Sequence, residues 1–228
     1  LADAVDRERI ETGARVTDLE TAGGAVDGVA VEGDGRVQRH DVDGVVVATM
    51  PNVLEALTGY ACDVDFQGTV CAVASLPEAL TDTYWLNLAD ESRFGVLLEH
   101  TNFVPPSRYG GEHLVYLASY VQDDDELVWQ LDDDALVDYW LDGIAALFPS
   151  FDPADVNWVR VARNPRTAPI YERGYLEKVV PYDLGDAVAD GLAYAGMATR
   201  AQYPERSLNG AVEAGFAAAE ALLDGPGG

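Results

Sequence analysis

From Gly13 onward the chain alternates apolar and polar positions through Arg15, Val16, Thr17, Asp18 and Leu19, the period of a strand, after a first stretch, residues 1–9, patterned like the end of a helix. Turn signals at Gly23-Gly24 and Asp34-Gly35 divide the next segment into VDGVAVEG and RVQRHDV. Asp-Gly tolerates positive φ, so this predicts a hairpin. The run VDGVVVATMP does not alternate, which predicts that Val45, Val46 and Val47 form a strand buried on both faces, and Pro51 opens a short helix, PNVLEALTG.

Between about residues 66 and 122 the pattern is of strands, GTVCAVASL, YWLNLA, FGVLLEHTNF and HLVYLASYV, separated by Gly, Pro and acidic turns. An antiparallel sheet is the simplest arrangement. Asp132-Asp133-Asp134 then precedes ALVDYWLDGIAALF, where Leu136, Trp140, Ile144 and Leu147 share a helical face and Pro149 ends the element. The Asp triplet reads as an N-cap and first turn complementing the helix dipole, and it lacks the spacing of a calcium loop. A strand near VNWVRVAR and the proline-punctuated NPRTAPIYERGYLEKVVPY lead to GLAYAG, a short buried strand. A ten-residue loop and a helix beginning near Ser207 close the chain.

Charge changes the picture most. The chain carries 40 acidic residues against 14 basic ones, a net charge of −26, and Lys178 is its only lysine. No basic stripe exists to displace phosphate counterions, so nucleic acid is not an expected partner. Acidic residues in place of lysine give a surface that stays hydrated in concentrated salt, and a halophilic source is expected. Cys62 and Cys71 stand in apolar surroundings with no second pair to form a zinc cluster and are read as free buried thiols. No apolar stretch reaches the roughly 18 residues of a membrane span, and a cytoplasmic location is expected. The first residues, LADAVDRERIETGARV, are a helical sequence already under way, which suggests a fragment.

Candidate chemistry concentrates at the C-terminus. Gly210, Ala211, Ala214, Gly215, Ala218 and Ala219 are spaced to place small residues on one stripe of the last helix, and a buried strand ending in Gly196 faces that helix start across a loop. Such a junction offers free N–H groups to an anion or an electron-rich ring. His40, His100 and His113 show no ligand spacing. His100 and Asn102, at a strand end, are candidates for lining a substrate cavity, and Tyr171, Tyr175 and Tyr203 for walling it. No G-x-S-x-G elbow suggests a hydrolase, and Gly23, Gly24 and Gly28 belong to a hairpin, not to a G-x-G-x-x-G phosphate loop.

The order AG, variable loop, YPERSLNGAVEAGFAAAEAL resembles the C-terminal signature of the flavin-containing amine oxidase, protoporphyrinogen oxidase and phytoene desaturase superfamily. GARVTDLETAGGAVDGVAVEGDGRVQRHDVDGVVVATMP is similar to that superfamily's three-stranded excursion from its nucleotide-binding fold, and EHTNF and YLASYV resemble its substrate-domain strands. The resemblance implies an α+β chain: a mixed, largely antiparallel substrate-domain sheet flanked by helices (61–185), plus remnants of an FAD-binding domain (1–60 and 186–228). It implies cofactor contacts at Val16, Gly196, Met197, Ser207, Leu208 and Gly210. Two departures stand out: Met197 and Ala198 replace the acidic residue usual after Ala-Gly, and Ser207 replaces an aromatic frequent in amine oxidases. The expected activity is FAD-dependent removal of a hydride from a C–H or C–N bond of a small molecule. FAD itself is not expected on this fragment, because the adenosine half of its site would precede Leu1. A salt-adapted binding module with a degenerate flavin fold, and a flavin-dependent sugar-nucleotide mutase, stand as alternatives.

Overall fold

The computed structural model describes residues 2–88 and 91–224. In chain order its elements are β1 (Arg15–Ala22), β2 (Ala25–Gly33), β3 (Arg36–Asp41), β4 (Val45–Val47), α1 (Pro51–Thr58), β5 (Phe66–Leu76), β6 (Trp85–Asn87), β7 (Val96–Glu99) and β8 (His113–Val121). They continue with α2 (Leu127–Gln130), α3 (Asp133–Leu147), β9 (Trp158–Pro169), α4 (Tyr175–Lys178), β10 (Leu192–Tyr194) and α5 (Leu208–Leu223). The expected α+β class, with largely antiparallel sheets, is what the chain adopts. Two compact units form, one from residues 1–64 and 170–228, the other from 65–169.

In the first unit β1, β2 and β3 make an antiparallel meander. The β2–β3 turn has positive φ at both Asp34 and Gly35, as the Asp-Gly signal predicts. β4 pairs in parallel with β10, joining residues about 147 positions apart, for example Val47 with Tyr194. α1 starts at Pro51 and ends on Gly59, whose φ of 72° only glycine adopts without cost. Residues 170–185, grouped by sequence with the preceding strands, make their contacts in this unit: the Val180 N–H donates to the Ala198 carbonyl and the Leu184 N–H to that of Leu192.

Two expectations fail here. Residues 2–9 hold turns and one 3-10 turn at Arg7–Arg9, all exposed, because no apolar face exists for a helix to bury; Leu1 lies outside the described residues. In β4 only Val47 is buried, while Val46 is 40% exposed, since among the described residues the parallel sheet has two strands and one face stays open.

The second unit is a five-stranded antiparallel sheet in the order β6-β7-β8-β5-β9. One face buries Val70, Ala72 and Ala74 of β5 with Leu97, Val115 and Leu117 against Leu136, Trp140 and Ile144 of α3. Burying each large side chain of α3 contributes about 1.5–3 kcal/mol. Asp132 caps α3 by accepting from the Ala135 N–H at 2.9 Å, and Asp133 in the first turn pairs with Arg163 of β9. Leu147, expected on the buried face, is exposed because the helix ends at Phe148. β6 is shorter than YWLNLA predicts, and Ala89, at the end of that stretch, lies outside the described residues. Both thiols are free and half-buried, and burial pushes that of Cys71 above its ordinary range.

Candidate functional site

The first unit opens a groove of about 620 Å³ along β1 and β4, with Val16, Val45, Val46, Val47 and Thr49 on its walls. Val16 is 43% exposed there. At the end of β4 the Thr49 carbonyl accepts from the Tyr194 hydroxyl at 3.0 Å. A Cβ on Gly196 would sit 2.1 Å from that carbonyl and 2.2 Å from the hydroxyl, so this position, two residues past β10, admits only glycine. The next residues turn sharply: the buried Thr199 hydroxyl donates to the Gly196 carbonyl at 2.9 Å, and Met197 is half-buried within the turn.

α5 starts as the sequence predicts. Ser207 takes an extended conformation and its hydroxyl accepts from the Gly210 N–H at 3.2 Å. The Leu208 and Asn209 N–H groups have no acceptor among the described residues, which leaves two dipole-end donors at an exposed turn. Gly210 does not border open space, because a Cβ there would lie 2.5 Å from the Ala201 carbonyl. Gly210, Ala214 and Ala218 are the buried stripe of the helix. Gly215 borders nothing within 4 Å, and Leu208, Val212, Phe216 and Leu223 are exposed beside it.

Tyr171, Tyr175 and Tyr203 form one aromatic cluster, with ring centroids 4.8 to 5.5 Å apart. Tyr171 donates to the Gln202 carbonyl at 2.8 Å, next to the turn on which Gly210 rests. Tyr175 is buried and its hydroxyl has no hydrogen-bond partner among the described residues; desolvation pushes its pKa up to about 12. The first unit thus brings Tyr171 and Tyr203 together near the start of α5.

His100 and Asn102 belong to the second unit. His100 shares a 2.7 Å hydrogen bond with the Tyr109 hydroxyl and packs edge-on against Tyr116 of β8. The Asn102 amide donates to the Thr81 and Thr83 carbonyls at 2.9 and 3.1 Å and also hydrogen-bonds the buried Glu99 carboxylate, so its observed role is to tie that carboxylate to a turn. Sequence reasoning missed Glu99, which is fully buried and accepts from the Leu80 and Thr81 N–H groups at 3.2 and 2.8 Å. Burial raises its carboxyl above the ordinary range, opposed by those N–H groups and by His113, whose Nδ1 lies 3.9 Å away. Alternation carried the signal, since Glu99 falls on the same inward face as Leu97.

The sheet face opposite α3 is buried at its Ser75–Leu114 end, half-buried at Val73, Cys71 and Ala118, and exposed at Arg160, Ala162 and Tyr120. Paired residues of antiparallel strands share a face, and the pairings Val96 with Ala118, Ala118 with Cys71, and Cys71 with Ala162 place four small side chains in one row across it. The flanking row runs through Leu98, Tyr116, Val73 and Arg160, which places His100 at its border. Among the described residues no group of three His, Cys, Asp or Glu side chains could hold a metal ion, and no helix is long and apolar enough to cross a membrane.

Comparison with solved structures places this architecture. Cyclohexylamine oxidase from Brevibacterium oxydans aligns over 98% of the chain and 51% of its own length, with a TM-score of 0.66 and 17% identity. An oxidoreductase from Methanosarcina mazei aligns over 90% of the chain and 49% of its own length, with a TM-score of 0.66 and 16% identity. A reduced UDP-galactopyranose mutase aligns over 78% of the chain and 41% of its own length, with a TM-score of 0.56 and 15% identity. The chain therefore spans about half the length of the structures it matches, and at these identities the likeness speaks for the fold. A search of curated proteins finds no match. The profile of flavin containing amine oxidoreductases matches residues 1–223, covering the meander, the glycine turn after β10 and the capped α5 alike, and the chain belongs to that family.

Proposed function

We propose that the chain is part of an FAD-dependent oxidoreductase that removes a hydride from a C–H or C–N bond of a small organic molecule. The observation that carries this reading is the start of α5, where Ser207 holds the first turn and the Leu208 and Asn209 N–H groups are left without acceptors among the described residues. Flavin, when bound, supplies the electron sink. The residues present suit part of it: two dipole-end donors would favour negative charge at the edge of the reduced ring, and each such donor is worth about 2–4 kcal/mol in a closed polar site. The Gly196–Met197 turn would lie beside the ribityl chain, without the hydrogen bond an acidic residue would add. Val16, in the apolar groove, would meet the adenine with its backbone.

The remaining cofactor contacts would come from polypeptide outside these 228 residues, in keeping with the half-length match to the oxidases. The second unit would receive substrate, with His100 beside it. Two neighbours are named as oxidases of cyclohexylamine and putrescine. Ser207, where an aromatic would complete an amine cage, argues for another substrate in this chain.

Absorption spectra test the reading. The natural polypeptide that contains this sequence should carry stoichiometric flavin, and the 228-residue chain alone should be colourless, because half a site does not offset the entropy of holding a large cofactor. A natural polypeptide that stays colourless after incubation with FAD would favour a binding module that has lost the cofactor.

A further inference from the structure

We infer that the face of the five-stranded sheet opposite α3 binds a flat, apolar molecule bearing a carboxylate, and that Arg160 reads the carboxylate. That this face meets the enzyme's substrate rests on the flavin reading above; the binding itself rests on the second unit alone.

Three observations carry the inference. The first is composition. Cross-strand register assigns to this face the positions paired with or alternating from Val73, Cys71 and Thr69, and none is Asp or Glu, although 40 of 228 residues are acidic. A face built only to be solvated would carry the charge that covers the rest of this protein.

The second is relief. Val96, Ala118, Cys71 and Ala162 make a low floor between a row containing Tyr116 and a row containing Tyr120. Rows two residues apart are about 7 Å from one another, and four strands span about 14 Å. Those dimensions give a shallow trough that suits a fused ring system lying flat, with aromatic walls on either side.

The third is charge. Arg160, paired across the sheet with Val73, is the one basic residue among these rows, and its guanidinium makes no ion pair or hydrogen bond among the described residues. By contrast Arg163, three residues on and facing α3, pairs with Asp133. A guanidinium at the rim of an apolar trough with no carboxylate of its own is complementary to a ligand carboxylate, which it can hold with two parallel hydrogen bonds.

Fluorescence titration with pyrene-1-carboxylate and with uncharged 1-pyrenemethanol tests this on the 228-residue chain, in KCl sufficient for circular dichroism to show it folded. The carboxylate should bind about tenfold more tightly than the alcohol, the range of a charge-assisted hydrogen bond and opposite in sign to the repulsion expected from a net charge of −26. Arg160→Gln should abolish the preference and Arg160→Lys should keep part of it; Ala118→Trp should weaken both probes by filling the floor. Arg160 is exposed, so these arginine variants should fold, and their dichroism checks that. The inference is overturned if neither probe binds, if the alcohol binds as tightly, or if the preference survives Arg160→Gln. A colourless natural polypeptide with intact acid binding would sink only the flavin reading. Flavin retained without acid binding would sink only this one.

Discussion

Tyr175 shows how much one desolvated group can report. Its hydroxyl is buried with no hydrogen-bond partner among the described residues, and its pKa is pushed up to about 12, against about 10 for a free tyrosine. The folded state therefore keeps a proton that the unfolded state loses first. The corresponding stability is complete below pH 10 and falls away as pH rises to about 12, by about 2–3 kcal/mol. Tyr175→Phe should remove that alkaline loss while costing little at pH 7, since no hydrogen bond is broken. Denaturant midpoints measured across about pH 8 to 12 for both proteins check this, and equal slopes would mean that the hydroxyl is hydrated. Neither the orphan hydroxyl nor the buried Glu99 could be singled out from sequence with certainty. Alternation put Glu99 on the inward face, but the backbone donors that satisfy it, Leu80 and Thr81, come from a loop whose path no periodicity describes.

At the scale of elements, α5 teaches the limits of a stripe. The cap at Ser207 and the extent of the helix were readable because both depend on neighbours a few residues away. Which small residues face the protein was not readable, because that depends on the turn holding Ala201. Gly210→Ala should therefore destabilise the first unit by about 1–3 kcal/mol, as overpacking against backbone does, whereas Gly215→Ala, in open surroundings mid-helix, should gain about 0.5–1 kcal/mol. Chemical denaturation of the two variants distinguishes them, and equal effects would contradict the assigned face. The same reasoning explains β4: three consecutive valines mark a strand, but burial on both faces needs neighbours that local sequence does not specify, and Val46 lies open. The second unit was legible almost element by element, since β5, β8 and α3 each carry a complete local pattern with caps and turns. Its face opposite α3 was not, because Cys71, Ala118 and Ala162 become neighbours only through register.

The whole molecule is dominated by its charge. With 40 acidic residues and one lysine, mutual repulsion in dilute buffer should work against both units, and at molar salt the screening length falls to about 3 Å. We propose that the chain is salt-adapted, and its melting temperature should rise from low to molar KCl; a flat or falling profile would refute that. The pairing of β4 with β10 has a different consequence, one of timing. The second unit is a continuous stretch and can form as soon as residue 169 is available, while the parallel pair must wait for residues 192–194 and then close a loop of about 147 residues. Loop closure of that length is slow to repay its entropy. During synthesis the sheet and α3 should therefore form first, and the half-built apolar groove of the first unit should remain the exposed, aggregation-prone intermediate until β10 and α5 arrive.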